Sequence, residues 1–218
     1  SGLYLEQSSY NNITNNLFSY NNVTAINING GGIIGLYNSA NNIFINSTIF
    51  SNNVTATGTI NGGGIIGLDT SANNNIFDNI NFNGSASKGG GIGIQDSNNN
   101  TFSNGQFAFA TDYVIKLISA SFNNTFKNNI IVSEPKGTLW IDSGINGTTL
   151  IDQYIRNYTF NGTGGKINIK DSSYGEIKYL ISVNGSGINL SSDIKIGDNS
   201  VYVNSSKAGL NKAANITL

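Results

Sequence analysis

A large apolar residue, an asparagine two positions later and a second large apolar residue about five positions after the first recur six times in this 218-residue chain. The segments are Ile13/Asn15/Phe18, Phe44/Asn46/Phe50, Phe77/Asn79/Phe82, Phe102/Asn104/Phe107, Phe126/Asn128/Ile131 and Leu150/Asp152/Ile155, with aspartate replacing asparagine in the last. The five asparagines are separated by 31, 33, 25 and 24 residues. A unit of this size cannot bury its own apolar face and must stack on its neighbours, so the period is the signature of a solenoid.

A second apolar column precedes the first: Leu5, Leu36, Leu68, Ile94, Leu117, Ile141 and Ile169. Five of these have a serine three places on, at Ser8, Ser39, Ser71, Ser97 and Ser172. Between the columns lie short alternations such as Ile43-Phe44-Ile45 and Thr101-Phe102-Ser103, bounded by Asn, Gly and Ser clusters. These read as short strands and tight turns, and the density of asparagine opposes helix. Coils of 23 to 33 residues, each with about three strands, suit a parallel β-helix. Each coil returns one strand spacing higher, about 4.8 Å. Like residues then stack, which predicts one inward column through Phe44, Phe77, Phe102 and Phe126 and another through Phe18, Phe50, Phe82 and Phe107. Asn15, Asn46, Asn79, Asn104 and Asn128 are expected to form an amide ladder at one turn, each taking the tight bend with its backbone.

The first three coils carry an addition. Asn29-Gly30-Gly31-Gly32-Ile33-Ile34-Gly35-Leu36 recurs unchanged 32 residues on, from Asn61 to Leu68, and in degenerate form from Lys88 to Ile94. An extra strand or loop is expected to widen one face there, with stacked glycines turning the chain back into the wall. No Lys-Ser/Thr follows these glycines, so they do not read as a phosphate cradle. Toward the other end, 18 of the 23 charged residues lie beyond Ala110. Ile194-Lys195-Ile196 and Val201-Tyr202-Val203 flank Gly197-Asp198-Asn199, which reads as a hairpin. The expected organisation is a β-helix over 1–180, then a cap or the start of a following β module over 181–218.

Composition narrows the function. A net charge of -1 with 11% charged residues gives no basic field for phosphates, so no nucleic-acid partner is expected. The chain has no His, Cys or Met, which removes the soft metal ligands, and no cofactor or metal site is expected. Without a methionine, Ser1 is expected to follow a cleavage, removal of a secretory signal being one route, or an artificial boundary. No apolar run reaches the roughly 20 residues of a membrane-spanning helix, so no direct membrane span is expected.

Fourteen Asn-x-Ser/Thr sequons begin at Asn12, Asn22, Asn46, Asn53, Asn83, Asn99, Asn123, Asn146, Asn157, Asn161, Asn184, Asn189, Asn204 and Asn215. That is about twice what random order would give, and it points to an extracellular, glycosylated location. Glycoside hydrolysis needs two carboxylates about 5 to 9.5 Å apart across a groove. Glu6, Asp69, Asp96, Asp142 and Asp171 each follow an anchor by one or two residues, and Asp69 with Asp96, or Asp142 with Asp171, are the pairs that neighbouring coils would bring together. Short polar residues after an anchor are also ordinary turn formers, and no catalytic residue is assigned. Arg156, the only arginine, reads as a surface charge. Tyr4, Tyr37, Tyr113 and Trp140 are the aromatics available to stack on sugar rings.

The style of Ser39-Ala40-Asn41-Asn42-Ile43-Phe44-Ile45-Asn46 and of Ser121-Phe122-Asn123-Asn124-Thr125-Phe126-Lys127-Asn128-Asn129 resembles the right-handed parallel β-helix repeats of the CASH and NosD type, over roughly residues 1 to 180. The resemblance implies an all-β, pectin-lyase-like solenoid, here of about six to seven coils with a C-terminal cap or hairpin. It also implies a polysaccharide or cell-envelope setting, in the manner of archaeal and bacterial surface proteins. Enzymes of the group use clustered aspartates with a histidine, or acidic calcium ligands with a basic residue, and this chain departs from both patterns. The copper delivery of some NosD-type proteins fits poorly with a chain that has no Met, His or Cys. The expected function is an extracellular structural or adhesive component of a surface layer, sheath or filament that self-associates. The alternative is a β-helix that binds or degrades polysaccharide.

Overall fold

Three columns of inward side chains, spaced one coil apart in sequence, fix the path of the chain. The computed structural model describes residues 2–28, 30–58, 63–86, 89–109, 111–133, 136–151, 157–171, 178–183, 188–194, 200–205 and 216–217. The first coil holds β1 (Leu3–Glu6), β2 (Asn12–Thr14), β3 (Leu17–Ser19) and β4 (Asn22–Ala25). The second holds β5 (Ile34–Tyr37), β6 (Ile43–Ile45) and β7 (Thr48–Ala56), and the third β8 (Ile66–Asp69), β9 (Ile76–Asp78) and β10 (Asn81–Ala86). The fourth holds β11 (Ile92–Gln95), β12 (Thr101–Ser103) and β13 (Gln106–Phe109), and the fifth β14 (Ile115–Ile118), β15 (Thr125–Lys127) and β16 (Ile130–Ser133). Later coils contribute two described strands each: β17 (Leu139–Ile141) and β18 (Thr148–Ile151), β19 (Asn157–Gly162) and β20 (Gly165–Asp171), β21 (Lys178–Val183) and β22 (Ile188–Ile194), and β23 (Ser200–Ser205) and β24 (Ile216–Thr217).

Every pairing between these strands is parallel and joins one coil to the next. The first sheet runs β1-β5-β8-β11-β14-β17-β19-β21-β23 and the second β2-β6-β9-β12-β15-β18-β20-β22-β24. The third, among the described residues, runs β3-β7-β10-β13-β16 with β4 also on β7. The solenoid thus has nine rungs on two sides, more than the six to seven that the sequence repeat marks. The hairpin expected near the C-terminus is corrected: β22 pairs with β20 in the second sheet and β23 with β21 in the first, both parallel. The turn Gly197-Asp198-Asn199 lies outside the described residues, as do Asp152, Ile155, Arg156 and Ser172.

The inward columns explain the core. Phe44, Phe77, Phe102 and Phe126 are fully buried in the second sheet. Their rings stack at 4.6, 4.5 and 5.3 Å with interplanar angles of 7°, 3° and 11°. This offset matches the strand spacing, so each ring meets the next at van der Waals distance. The anchors Leu36, Leu68, Ile94, Leu117 and Ile141 are buried in the first sheet in register. Ile169 is not the seventh of them, because it pairs with Leu150 in the second sheet. The third column is Phe18, Ile49, Phe82, Phe107 and Ile131. Phe50 is displaced from it, 41% exposed on the outer face, because Ile49 takes the inward place.

The glycine-rich runs turn the lengthened third-sheet strands back onto the first sheet. A Cβ on Gly31 would run into the Ile34 carbonyl and the Gly67 amide, and one on Gly63 into the Ile66 carbonyl and the Gly93 amide. Backbone lies directly on backbone there, which only glycine allows. The runs are themselves stacked, Gly32 N–H donating to Gly64 O at 3.2 Å and Gly64 N–H to Gly90 O at 2.9 Å.

Candidate functional site

The polar groups inside the wall are organised before those outside it. Asn11, Asn42, Asn75, Asn100 and Asn124 form a ladder along the solenoid, and the last four are wholly buried. Each Oδ1 from Asn42 onward accepts both the backbone N–H and the side-chain Nδ2–H of the asparagine one coil earlier, at 2.9 to 3.1 Å. The second Nδ2 hydrogen of Asn42 and Asn75 goes to the carbonyls of Ser8 and Ser39, and Asn124 Nδ2 donates to the Ser97 carbonyl. The column ends at Thr148, whose buried hydroxyl has no partner among the described residues. Serines work similarly beside it, Ser39 Oγ taking the Ser8 N–H and Ser97 Oγ the Ala72 N–H. Ala72, not Ser71, holds that place in the third coil, and Ser71 is exposed at φ 63°.

Asn15, Asn46, Asn79, Asn104 and Asn128 make the bend with φ of 52° to 57°, the left-handed region that asparagine tolerates. Their side chains lie at or near the surface and bond one another only in pairs, Asn79 to Asn46 at 3.0 Å and Asn128 to Asn104 at 3.3 Å, while Asn79 also accepts from Asn81 at 3.4 Å. Asn104 Nδ2 turns instead to Asp78 at 2.6 Å. The continuous ladder therefore sits four residues upstream, on the asparagine two places before each inward phenylalanine. The Asn-Asn doublets ahead of Phe44, Phe77, Phe102 and Phe126 were its visible sign.

The carboxylates considered for catalysis fall on separate parts of the wall. Glu6 and Asp69 share an outward column but Tyr37 stands between them, so their backbones are two rungs, roughly 10 Å, apart. Asp69 is only 3% exposed, shut beneath the Gly30 turn. Burial raises its pKa, against the bonds from Thr70 Oγ1 at 3.1 Å and the Gly30 and Thr70 amides, while Asp96 raises it further. The pKa of Tyr4 is raised by burial and by the neighbouring Glu6, Tyr37 and Asp69. Asp96 lies at a corner, φ 47°, and accepts the Ala120 N–H at 3.2 Å, while Gln95 is the residue paired with Asp69. Asp142 follows β17 of the first sheet and Asp171 ends β20 of the second, so these two do not form a pair across one face.

One cluster was not legible in the sequence. Buried Asp112 binds Lys116 at 3.3 Å and Lys136 at 3.1 Å. The Lys116 ammonium stands 5.9 Å from the centre of the Trp140 ring, and Tyr113 meets that ring at 5.6 Å. Trp140 Nε1 donates to Asp142 at 2.9 Å, and Asn161 Nδ2 to the Tyr113 hydroxyl at 2.7 Å. Trp140 and Tyr113, expected as sugar platforms, are thus tied into the wall by their neighbours.

The outer face of the third sheet is different. An open groove of about 290 Å³ lies along it between Phe50 and Val132, with Asn83 and Ala108 between them and Thr48, Asn81 and Gln106 beside. Of the sequon asparagines, Asn12, Asn22, Asn46, Asn53, Asn83, Asn99, Asn123 and Asn146 are exposed and Asn161 is half-buried. None of the buried asparagines, at 42, 52, 75, 100, 124 and 129, begins a sequon. The side chains of Asn157, Asn184, Asn189, Asn204 and Asn215 lie outside the described residues.

Parallel three-sided coils, stacked aromatics and an internal asparagine ladder define a β-solenoid. Residues 1–155 match the family of the right handed beta helix region, and the chain belongs to that family. No curated protein and no solved structure matches the chain.

Proposed function

We propose that the chain is a non-catalytic structural or adhesive module of an extracellular surface, such as a surface layer, sheath or filament, with the β-helix as its rigid spacer. The observation that carries this is the fate of the acids: Asp69 is enclosed under Gly30, Asp96 and Asp142 are engaged by Ala120 and Trp140, and Asp142 and Asp171 lie on different sheets. A hydrolase or lyase needs such groups converging on a groove. The outward columns are instead largely uncharged, as in Thr101-Thr125-Thr149 and Thr48-Asn81-Gln106, and they carry exposed sequons. Head-to-tail stacking of copies is the self-association that such a rod offers.

The alternative, binding or cleavage of polysaccharide, draws on the groove beside Phe50. Electron microscopy of material from the native source, with a polysaccharide array and a reducing-end assay on the same sample, separates the two. Recovery in an ordered extracellular assembly without cleavage supports the surface role. An intracellular monomer that cleaves a polysaccharide refutes it.

A further inference from the structure

We propose that Asn83 is an N-glycosylation site whose first sugar is seated in the groove on the third sheet, making that glycan a packed part of the wall. The proposal rests on the extracellular reading and goes beyond it by selecting one sequon and naming what holds its sugar.

The acceptor lies in the groove itself. Asn83 is exposed in β10, in register with Phe50 one rung before and Ala108 one rung after. Its side-chain amide has no hydrogen-bond partner among the described residues. Four other exposed sequon asparagines are engaged: Asn53 bonds Asn22 at 3.5 Å and Ser85 at 2.8 Å, Asn46 accepts from Asn79, and Asn146 donates to the Gly144 carbonyl. Asn12, Asn99 and Asn123 are exposed without such a bond among the described residues, but none of them lines the groove.

The walls suit an uncharged sugar. Phe50 is held edge-on by Tyr20, ring centres 5.6 Å apart at 89°, and offers the apolar surface on which the C–H face of a pyranose packs. Ala108 removes bulk from the next rung, and Val132, 54% exposed, closes the far end. From Phe50 to Val132 is three rungs, roughly 14 Å, enough for one or two sugar rings. The column Thr48, Asn81 and Gln106 runs beside the groove and supplies hydroxyl and amide groups at the rung spacing, with no charge among them.

The modification joins Asn83 Nδ2 to the anomeric carbon of a phosphate-activated sugar supplied by the host's transfer machinery. The bond from that carbon to the phosphate oxygen breaks and the phosphate leaves with the electron pair. One amide proton is lost to a base, and the remaining N–H stays available to the groove.

Glycopeptide mapping of the native chain, followed by thermal unfolding of matched variants made in the same glycosylating host, tests the proposal. A glycan is expected at Asn83, and Asn83→Gln or Ser85→Ala is expected to lower Tm by about 2–4 °C relative to the same substitution in unglycosylated chain. In a Phe50→Ala background that difference is expected to vanish. A bare Asn83 in a chain found on the cell surface overturns the proposal and leaves the surface role standing. A bare chain recovered from inside the cell overturns both. A glycan at Asn83 whose effect on Tm ignores Phe50→Ala overturns the seat.

Discussion

Replacing Asn100 by alanine isolates the value of the internal ladder. Asn100 Oδ1 accepts the Asn75 N–H at 2.9 Å and Asn75 Nδ2 at 3.1 Å, and its own Nδ2 donates to Asn124 Oδ1 at 3.1 Å. The substitution leaves two buried donors of Asn75 without an acceptor and takes one of two donors from Asn124. An orphaned buried donor costs about 1–3 kcal/mol, so the two together give about 2–6 kcal/mol. In a chain of this size each kcal/mol moves Tm by about 2–4 °C, so a loss near the middle of that range lowers Tm by about 8–16 °C. The control is Asn104→Ala, at an exposed corner of φ 55°, where the left-handed backbone costs about 1–2 kcal/mol and the bonds lost to Asp78 and Asn128 are replaced by water. Urea unfolding followed by far-ultraviolet circular dichroism, with thermal scans in parallel, reads both. If Asn100→Ala proves no more harmful than Asn104→Ala, the ladder does not stabilise the wall as argued.

Phe102→Ala removes a ring between Phe77 and Phe126 and should cost about 3–5 kcal/mol by urea unfolding, against less than about 1 kcal/mol for Phe50→Ala in the unglycosylated chain. Gly67→Ala pushes a methyl group into the Gly30 carbonyl and should release the glycine turn. Gly144→Ala meets open space and pays only for its φ of 82°, so faster proteolysis near Gly30 is expected for the first variant and not the second. Asp69 has a raised pKa, so its folded state holds a proton that the unfolded chain has already released. The stability linked to this group is present below the unfolded carboxylate pKa and is lost as pH rises through the folded one. Asp69→Asn should therefore stabilise the chain at neutral pH and flatten the decline seen in Tm measured from pH 4 upward.

The phenylalanine column was legible because an inward ring in one coil demands an inward ring in the next, and the spacing repeats it. The identity of the ladder was not. Asn42 and Asn46 both stand two places from Phe44, one on each side, and simple alternation treats them alike. The left-handed backbone at Asn46 turns its side chain outward, while Asn42 stays buried. Phe50 was misplaced for a related reason. Ile49 and Phe50 are adjacent and both apolar, and only the register with Phe18 and Phe82 decides which faces in. Two alternating runs around a Gly-Asp-Asn turn look the same whether they fold on each other or pass to successive sheets, and β22 and β23 do the latter. Asp112 and Lys116 pair locally, four residues apart, but Lys136 reaches Asp112 only through the return of the chain one coil later, which no local pattern announces.

Because each asparagine of the ladder bonds its equivalent across one coil, the rod's length is quantised. Joining Asn75 directly to Thr101 would excise residues 76–100, put Thr101 after an Asn-Asn doublet as before, and leave Asn75 facing Asn124 in place of Asn100. The product should be one rung, about 4.8 Å, shorter and otherwise unbroken. Duplicating the same stretch should lengthen it by as much. Such a chain can change its reach by whole steps without redesigning its interior, which ties the length of the rod to a simple count of repeats.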